Sequence, residues 1–455
     1  MISRLWFTRH LGPVTVAAAG ACLLVAVPVR ADDQAEKIKA LEKRLERSVQ
    51  LIETLAARVA ELERRARNQA PATAEREPTP AQVEQARDLV LLQESVTQIS
   101  SGLSKREHDT GLPLHGFADV GAGWSGGADT RKLRGFSVGT LDLYLTPQFG
   151  DRVKALAEIA FEFERDGKGE VEMERLQLGY TVSDAVTVWL GRFHTPFGLW
   201  NTSYHHGANL QTSIYRPRFV EFEDKGGILP AHSVGLWASG KTRLGAGKLT
   251  YDSYVSNGPS IRQGRLDPNT FTDDSSGKMF GFNLGYQPAG ALGGLTAGVH
   301  GFGSTVNAYA NSGAALNQTR LRMGGAYFGY DADDWEAIGE YYSFSNADQA
   351  SGAGRSSKAW FVHAGRTFGS LTPFVRYEHT SLDPQDNYFR TQLAGRSYRR
   401  SVVGARYALD SRSSLKFELS HTNEAQSVLL DENGVATPWP AGSFRRASLQ
   451  YSIAF

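Results

Sequence analysis

Val153-Lys154-Ala155-Leu156-Ala157-Glu158-Ile159-Ala160-Phe161-Glu162-Phe163-Glu164 sets two chemistries against each other at every second residue. Val153, Ala155, Ala157, Ile159, Phe161 and Phe163 are apolar, and Lys154, Glu158, Glu162 and Glu164 interleave with them. In an extended chain a period of two sends one set to each face. A run of about ten such residues is long enough to cross a bilayer as a tilted strand.

The same alternation returns along the chain. Val234, Leu236, Ala238 and Leu244 oppose Ser233, Ser239, Lys241 and Arg243. Leu415, Phe417 and Leu419 oppose Lys416, Glu418 and Ser420, and Ala447, Leu449, Tyr451, Ile453 and Phe455 oppose Arg446, Ser448, Gln450 and Ser452. Alternation alone also suits a soluble β-sandwich; the connections separate the two. Long links (residues 124–132, 194–232, 257–277, 305–319, 346–356, 381–397 and 423–443, with 165–169 intermediate) take turns with short ones (150–151, 183–185, 244–247, 288–294, 332–333, 369–370 and 410–413). Long loops on one rim and tight turns on the other are the layout of a membrane barrel. The fold predicted over residues 112–455 is therefore all-β, a 16-stranded antiparallel up-and-down transmembrane β-barrel, preceded by an N-terminal α-helical coiled coil. Its closure is demanded by lipid, where an open sheet edge leaves backbone groups unpaired.

Composition agrees. A net charge of +1 over 455 residues offers no basic excess for nucleic acid, and 41% apolar with 11% aromatic residues excludes general disorder. Mean hydropathy is only −0.34, as expected when polar residues line a lumen. Beyond the N-terminus no stretch reaches the roughly 18 apolar residues of a membrane helix.

Residues 1–31 have the form of a signal peptide: Arg4, Arg9 and His10, an apolar run over residues 11–29, and Val29-Arg30-Ala31 as a cleavage site. A retained anchor is the alternative. Cys22, the one cysteine, lies inside this segment, so disulfides and thiolate metal sites are not expected beyond it. Residues 32–66 carry a heptad with Ile38, Leu45, Ile52 and Val59 at a and Leu41, Ser48, Leu55 and Leu62 at d, the pattern of a coiled coil. β-Branched a residues with Leu at d favour dimers, whereas Arg58-Val59-Ala60-Glu61-Leu62-Glu63 resembles the Arg-h-x-x-h-Glu pattern of short trimers, h being apolar. Residues 67–111 form a linker and a short helix.

Leu176-Gln177-Leu178-Gly179-Tyr180 and Gly191-Arg192-Phe193-His194-Thr195-Pro196-Phe197-Gly198-Leu199 resemble the corresponding region of the phosphate-selective porin O and P family. That resemblance implies a trimeric outer-membrane channel without a cofactor. The family's lysine-rich pore cluster has no counterpart here. Phe455 at the end of the last alternating run resembles the signal read by the barrel assembly machinery. The partners expected are outer-membrane lipid, two further copies of the chain, that machinery and, through the coiled coil, the cell wall; a structural barrel that tethers outer membrane to cell wall is the alternative to a channel.

A channel needs a polar lumen, a constriction and a local field. The third long link holds His205, His206, Arg216, Arg218, Glu221, Glu223, Asp224 and Lys225. It either folds inward, with opposed charges across a narrow opening, or lies on the surface in water. Strand parity adds Lys241, Arg243, Arg320, Arg322, Arg376 and Arg406 to the lumen, and the motif adds Arg192. Parity places Lys154, Arg175, Arg400, Lys416, Arg446, Glu158, Glu162, Asp252, Glu336, Glu340, Glu378 and Glu418 on the same face. The basic group is the larger, which favours anions. His205-His206 lacks further metal ligands, and Ser203 with His205 lacks the glycine-rich elbow of a nucleophile, so neither metal binding nor catalysis is expected.

Overall fold

The computed structural model describes residues 114–129, 132–163, 169–204, 210–270, 273–274, 277–332, 334–431 and 433–455. The signal segment, the heptads, the linker and the His205-His206 pair lie outside the described residues.

Sixteen long strands form one antiparallel ring. They are β1 (Leu114–Gly127), β2 (Arg134–Leu145), β3 (Val153–Phe163), β4 (Gly169–Ser183), β5 (Val186–His194), β6 (His232–Leu244), β7 (Gly247–Ser256), β8 (Met279–Gln287), β9 (Leu295–Tyr309), β10 (Ala315–Ala332), β11 (Trp335–Asp348), β12 (Gly354–Arg366), β13 (Leu371–Ser381), β14 (Tyr398–Ala408), β15 (Ser413–Glu424) and β16 (Gly442–Ala454). Each pairs with its neighbours in sequence, and β16 closes the ring on β1 from Phe117↔Ala454 to Gly127↔Phe444. No backbone edge is left for lipid, as a spanning sheet requires.

Burial runs opposite to that of a soluble domain. Leu178, Leu190, Phe280 and Val375 are each more than half exposed, and Phe136 is 95% exposed, while Glu158 and Glu378 are wholly enclosed. The apolar row faces out and the ionisable row faces in, which is stable only against hydrocarbon. Short turns use left-handed glycines: Gly245 (φ 59°) and Gly369 (φ 60°) have open space where a Cβ would sit, so the demand there is torsional.

Two links expected to be long are short hairpins. β9 ends at Tyr309 and β10 begins at Ala315, and β11 ends at Asp348 while β12 begins at Gly354. Polar residues there still sit on the ladder, as Gln318 Nε2 donating to Asn307 Oδ1 at 2.9 Å illustrates. β10 has 18 residues, about 60 Å of strand, against an apolar band of about 25 Å. Beyond the band a strand meets water and carries no apolar row.

Candidate functional site

Residues 195–204 and 210–231, between β5 and β6, turn into the barrel. Gly198 makes the bend at φ 63°, a torsion that favours glycine. Just beyond it lie a single helical turn, α1 (Trp200–Ser203), and later a short 3₁₀ turn, Arg218–Val220. Asn201 Nδ2 donates to Thr195 O at 2.9 Å and Ala231 O at 3.3 Å, tying the two ends of the loop together.

Carboxylates on distant strands accept the loop's backbone N–H groups. Glu340 on β11 takes Leu199 (3.0 Å) and Trp200 (2.5 Å), Glu378 on β13 takes Arg218 (2.8 Å), and Glu418 on β15 takes Ile214 (3.0 Å) and Tyr215 (3.3 Å). Two strand cations hold its carbonyls. Arg376 on β13 donates to Tyr215 O at 2.9 Å and Arg216 O at 3.3 Å, and Lys416 on β15 to Gln211 O at 2.6 Å. Buried N–H and C=O groups must be paired, and here the pairing carries the loop across the lumen from β5 and β6 to β11, β13 and β15. An apolar seam seats it: Phe197, Trp200, Phe219, Ile228 and Leu229 pack with Phe302, Tyr342, Phe344 and Phe361 of the wall.

The opposite face of the loop meets ions. Arg218 reaches Glu424 at 2.5 Å, Arg396 also pairs with Glu424, and Arg446 grips Asp129 through two bonds of 2.6 Å. On the other side Lys225 pairs with Glu162 on β3, and Glu223 pairs with His232 at 3.0 Å. Between them lies a cavity of about 250 Å³ lined by Arg218, Lys225, Arg265, Arg400 and Arg446 together with Glu221, Glu223, Asp224 and Glu424. Around it, β13–β16 and the adjoining loop carry Arg376, Arg396, Arg400, Lys416 and Arg446 together with Glu378, Glu418 and Glu424, whereas β2–β4 carry Asp142, Glu158, Glu162, Glu172 and Glu174 together with Arg175. Burial pulls the Arg216 and Arg218 guanidinium groups below their ordinary range. Burial alone would raise the Glu223 carboxyl, but the charge and hydrogen bonds of His232 hold it below the usual carboxylate range.

The expected residues divide into four groups. Arg218, Glu221 and Lys225 line the cavity, and Arg192 sits half-buried, 3.4 Å from Glu174. Arg216 and Arg376 are enclosed and bind the loop itself: Arg216 donates to Val220 O (2.9 Å) and Asn201 Oδ1 (2.7 Å). Lys241 and Arg243 are exposed beside the Leu244–Gly247 turn, at the rim opposite the loop's anchorage, and Arg406 is half-buried on β14. Arg320 and Arg322 correct the parity reading. Both are exposed and share their row with Phe328 on the outer face, while Leu321 and Met323 point inward and are buried. The inner row there is apolar because the loop covers it. Asp129, Arg396 and Glu424 were not singled out from sequence; each lies at a strand end or in a loop, where parity gives no direction. Among the described residues no group of three His, Cys, Asp or Glu is placed to hold a metal ion.

No family model and no curated protein matches the chain. Solved structures do. The anion-selective porin from Comamonas acidovorans is similar at 15% identity and a TM-score of 0.49, over 76% of this chain and 99% of that one. The outer membrane channel DcaP of Acinetobacter baumannii is similar at 13% identity and a TM-score of 0.46 over 76% and 97%. Salmonella typhi OmpF, in complex with daunomycin, is similar at 12% identity and a TM-score of 0.47 over 76% and 97%.

Proposed function

We propose that the chain is an outer-membrane channel of the porin kind, through which small hydrophilic solutes diffuse passively, with a preference for anions. The observation that carries this is the inward loop: a segment pinned across a sixteen-stranded ring narrows the lumen beside a cavity lined by charged side chains. Sixteen strands enclose more than side chains can fill, and opposed charges at a narrowing set selectivity. The long-loop rim faces outward and the short-turn rim faces the periplasm. Anion preference rests on the crowding of Arg218, Arg396, Arg400 and Arg446 around Glu424, Asp129 and Glu418. The coiled-coil pattern supports a homotrimer. It also supports the second reading, a barrel that ties the outer membrane to the cell wall.

The test is single-channel recording of the full chain in a planar bilayer under a salt gradient. Stepwise openings in threes with a reversal potential of anion sign are expected. A silent bilayer, from protein that keeps the heat-modifiable gel mobility of a folded barrel, refutes the channel and favours the tether.

A further inference from the structure

The outer face is not uniform around the ring. On the seven contiguous strands β10–β16 the outward row is read from alternate exposure, and among the described residues it holds no Asp or Glu. It does hold Arg320, Arg322, Lys358, Arg399 and Arg445 near the long-loop rim, with no ion pair recorded for any of them among the described residues. The pairing register sets these on a stair. Lys358 is level with Ser343 and Ser381, and Arg322 stands one row nearer the long-loop rim. One row nearer the membrane than Lys358, Arg399 is level with His379, Trp360 and Tyr341. In the next row Arg445 and His421 are level with Tyr377, Val362 and Phe328. Trp360 stacks obliquely on Tyr377 at 5.5 Å and on His379 at 5.8 Å. Tyr341, Trp360, Val362 and Tyr377, with Lys358 and Arg399, line an open groove of about 770 Å³ on the outer surface, whose lining also includes Glu340 of the inner row. The other flank is different: Phe163, Val171 and Met173, at the same rim of β3 and β4, are exposed and apolar.

Cations at and just above an aromatic girdle, with aliphatic side chains on its membrane side, match an anionic headgroup, its interface and its acyl chains. Neighbouring strands lie about 4.8 Å apart and residues on one face about 6.7 Å apart along a strand, so Lys358, two strands and one row from each, is roughly 12 Å from Arg399 and from Arg322. That spacing suits a headgroup with two separated phosphates better than a single phosphodiester. We propose that this groove is a binding site for a diphosphorylated lipid of the outward leaflet, its phosphates held by Lys358 and Arg399 of the groove and by Arg322 beside it, and its acyl chains laid along Trp360, Val362 and Tyr377. The proposal rests on the reading of the chain as an outer-membrane barrel with its long loops outward; it does not require that the channel conduct.

The test uses the full chain refolded in detergent and binding read by native mass spectrometry. The probes are diphosphoryl lipid A, the same lipid with both phosphates removed, and inorganic phosphate as competitor. The variants are K358Q/R399Q/R322Q and, as a control on the outer row at the opposite rim, R366Q. At least tenfold weaker binding of diphosphoryl lipid A is expected for the triple variant, with no change for R366Q and little binding of the dephosphorylated lipid. Equal binding by wild type and triple variant, or by both lipids, overturns the site. Displacement by inorganic phosphate at matched concentration also overturns it and assigns the belt to soluble anions. Because all three side chains are at the surface, folding is checked by heat-modifiable mobility, and single variants replace the triple one if it fails. A chain that will not insert into liposomes sinks the membrane reading itself, whereas a silent bilayer with intact lipid binding sinks only the channel.

Discussion

Replacing Arg376 by Met should release the inward loop without opening the barrel. The guanidinium is 2% exposed and donates to Glu378 Oε1 (2.9 Å), Ser213 Oγ (2.9 Å), Tyr215 O (2.9 Å) and Arg216 O (3.3 Å). Met has a similar stem but no donor. Removing one member of a buried charged pair costs about 3–5 kcal/mol, because the partner remains uncompensated. Glu378 keeps Arg218 N and the Tyr398 hydroxyl as donors, so the lower end, about 3 kcal/mol, is the appropriate figure. At about 1.4 kcal/mol per factor of ten, the undocked population should rise more than a hundredfold.

Two readouts follow. Single-channel conductance should rise or become noisy, and a protease added from the long-loop side should cut within residues 210–230, while the barrel keeps its heat-modifiable mobility. Adding Glu378→Gln should recover part of the loss, since it removes the orphaned charge. Unchanged conductance and full protease protection in a folded Arg376→Met channel would show that the apolar seam alone holds the loop, and the reasoning would fail.

Other substitutions probe neighbouring parts. Gly198→Ala should undock the start of the loop: at φ 63° the torsion is strained for Ala by about 1–2 kcal/mol, and its methyl would press on Glu340 and Tyr342; denaturation midpoints and conductance both report it. Arg218→Gln with Arg446→Gln should lower the anion-to-cation permeability ratio, read from the reversal potential; an unchanged ratio places the selective step elsewhere. Asp386 caps the single-turn helix α2 (Asn387–Arg390) by accepting from Tyr388 N at 3.0 Å, and burial raises its carboxyl to about 6. An acid raised in the native state holds its proton longer than in the unfolded chain, so its contribution is most favourable below pH 4 and falls as pH rises through 6, by up to about 3 kcal/mol. Asp386→Asn should flatten that part of the stability–pH curve; an unchanged curve would mean that water reaches the carboxyl.

The ring itself was legible because, within the apolar band, one face of every strand answers to lipid. Val234 and Leu236, or Leu415, Phe417 and Leu419, alternate cleanly for that reason. Legibility ended where the loop intervenes. Leu321, Met323, Phe344 and Phe361 are apolar and inward because they seat the loop, so the rule of apolar side outward reversed on β10 and sent Arg320 and Arg322 to the wrong face. The loop's inward course was equally hidden. Its anchors are carboxylates at inner positions, Glu340, Glu378 and Glu418, whose partners are mainly backbone N–H groups, and no side-chain pattern announces a backbone donor.

Backbone N–H groups are not the anchors' only partners. Glu378 also accepts from Arg376, Glu418 lies 3.4 Å from Arg400, and Arg376 and Lys416 donate to the loop's carbonyls. The loop's anchorage therefore interleaves acid and base beneath the loop. Beside the cavity, Arg218 and Arg396 share the single carboxylate of Glu424, Arg446 takes Asp129, and Arg400 lies 3.4 Å from Glu418, which already serves two amides. Glu221, Glu223 and Asp224 of the loop line the same cavity, so guanidinium groups and carboxylates are interleaved there. Glu162 and Glu174 stand on the facing wall. On the channel reading proposed above, a solute crossing between them would meet a field directed across its path.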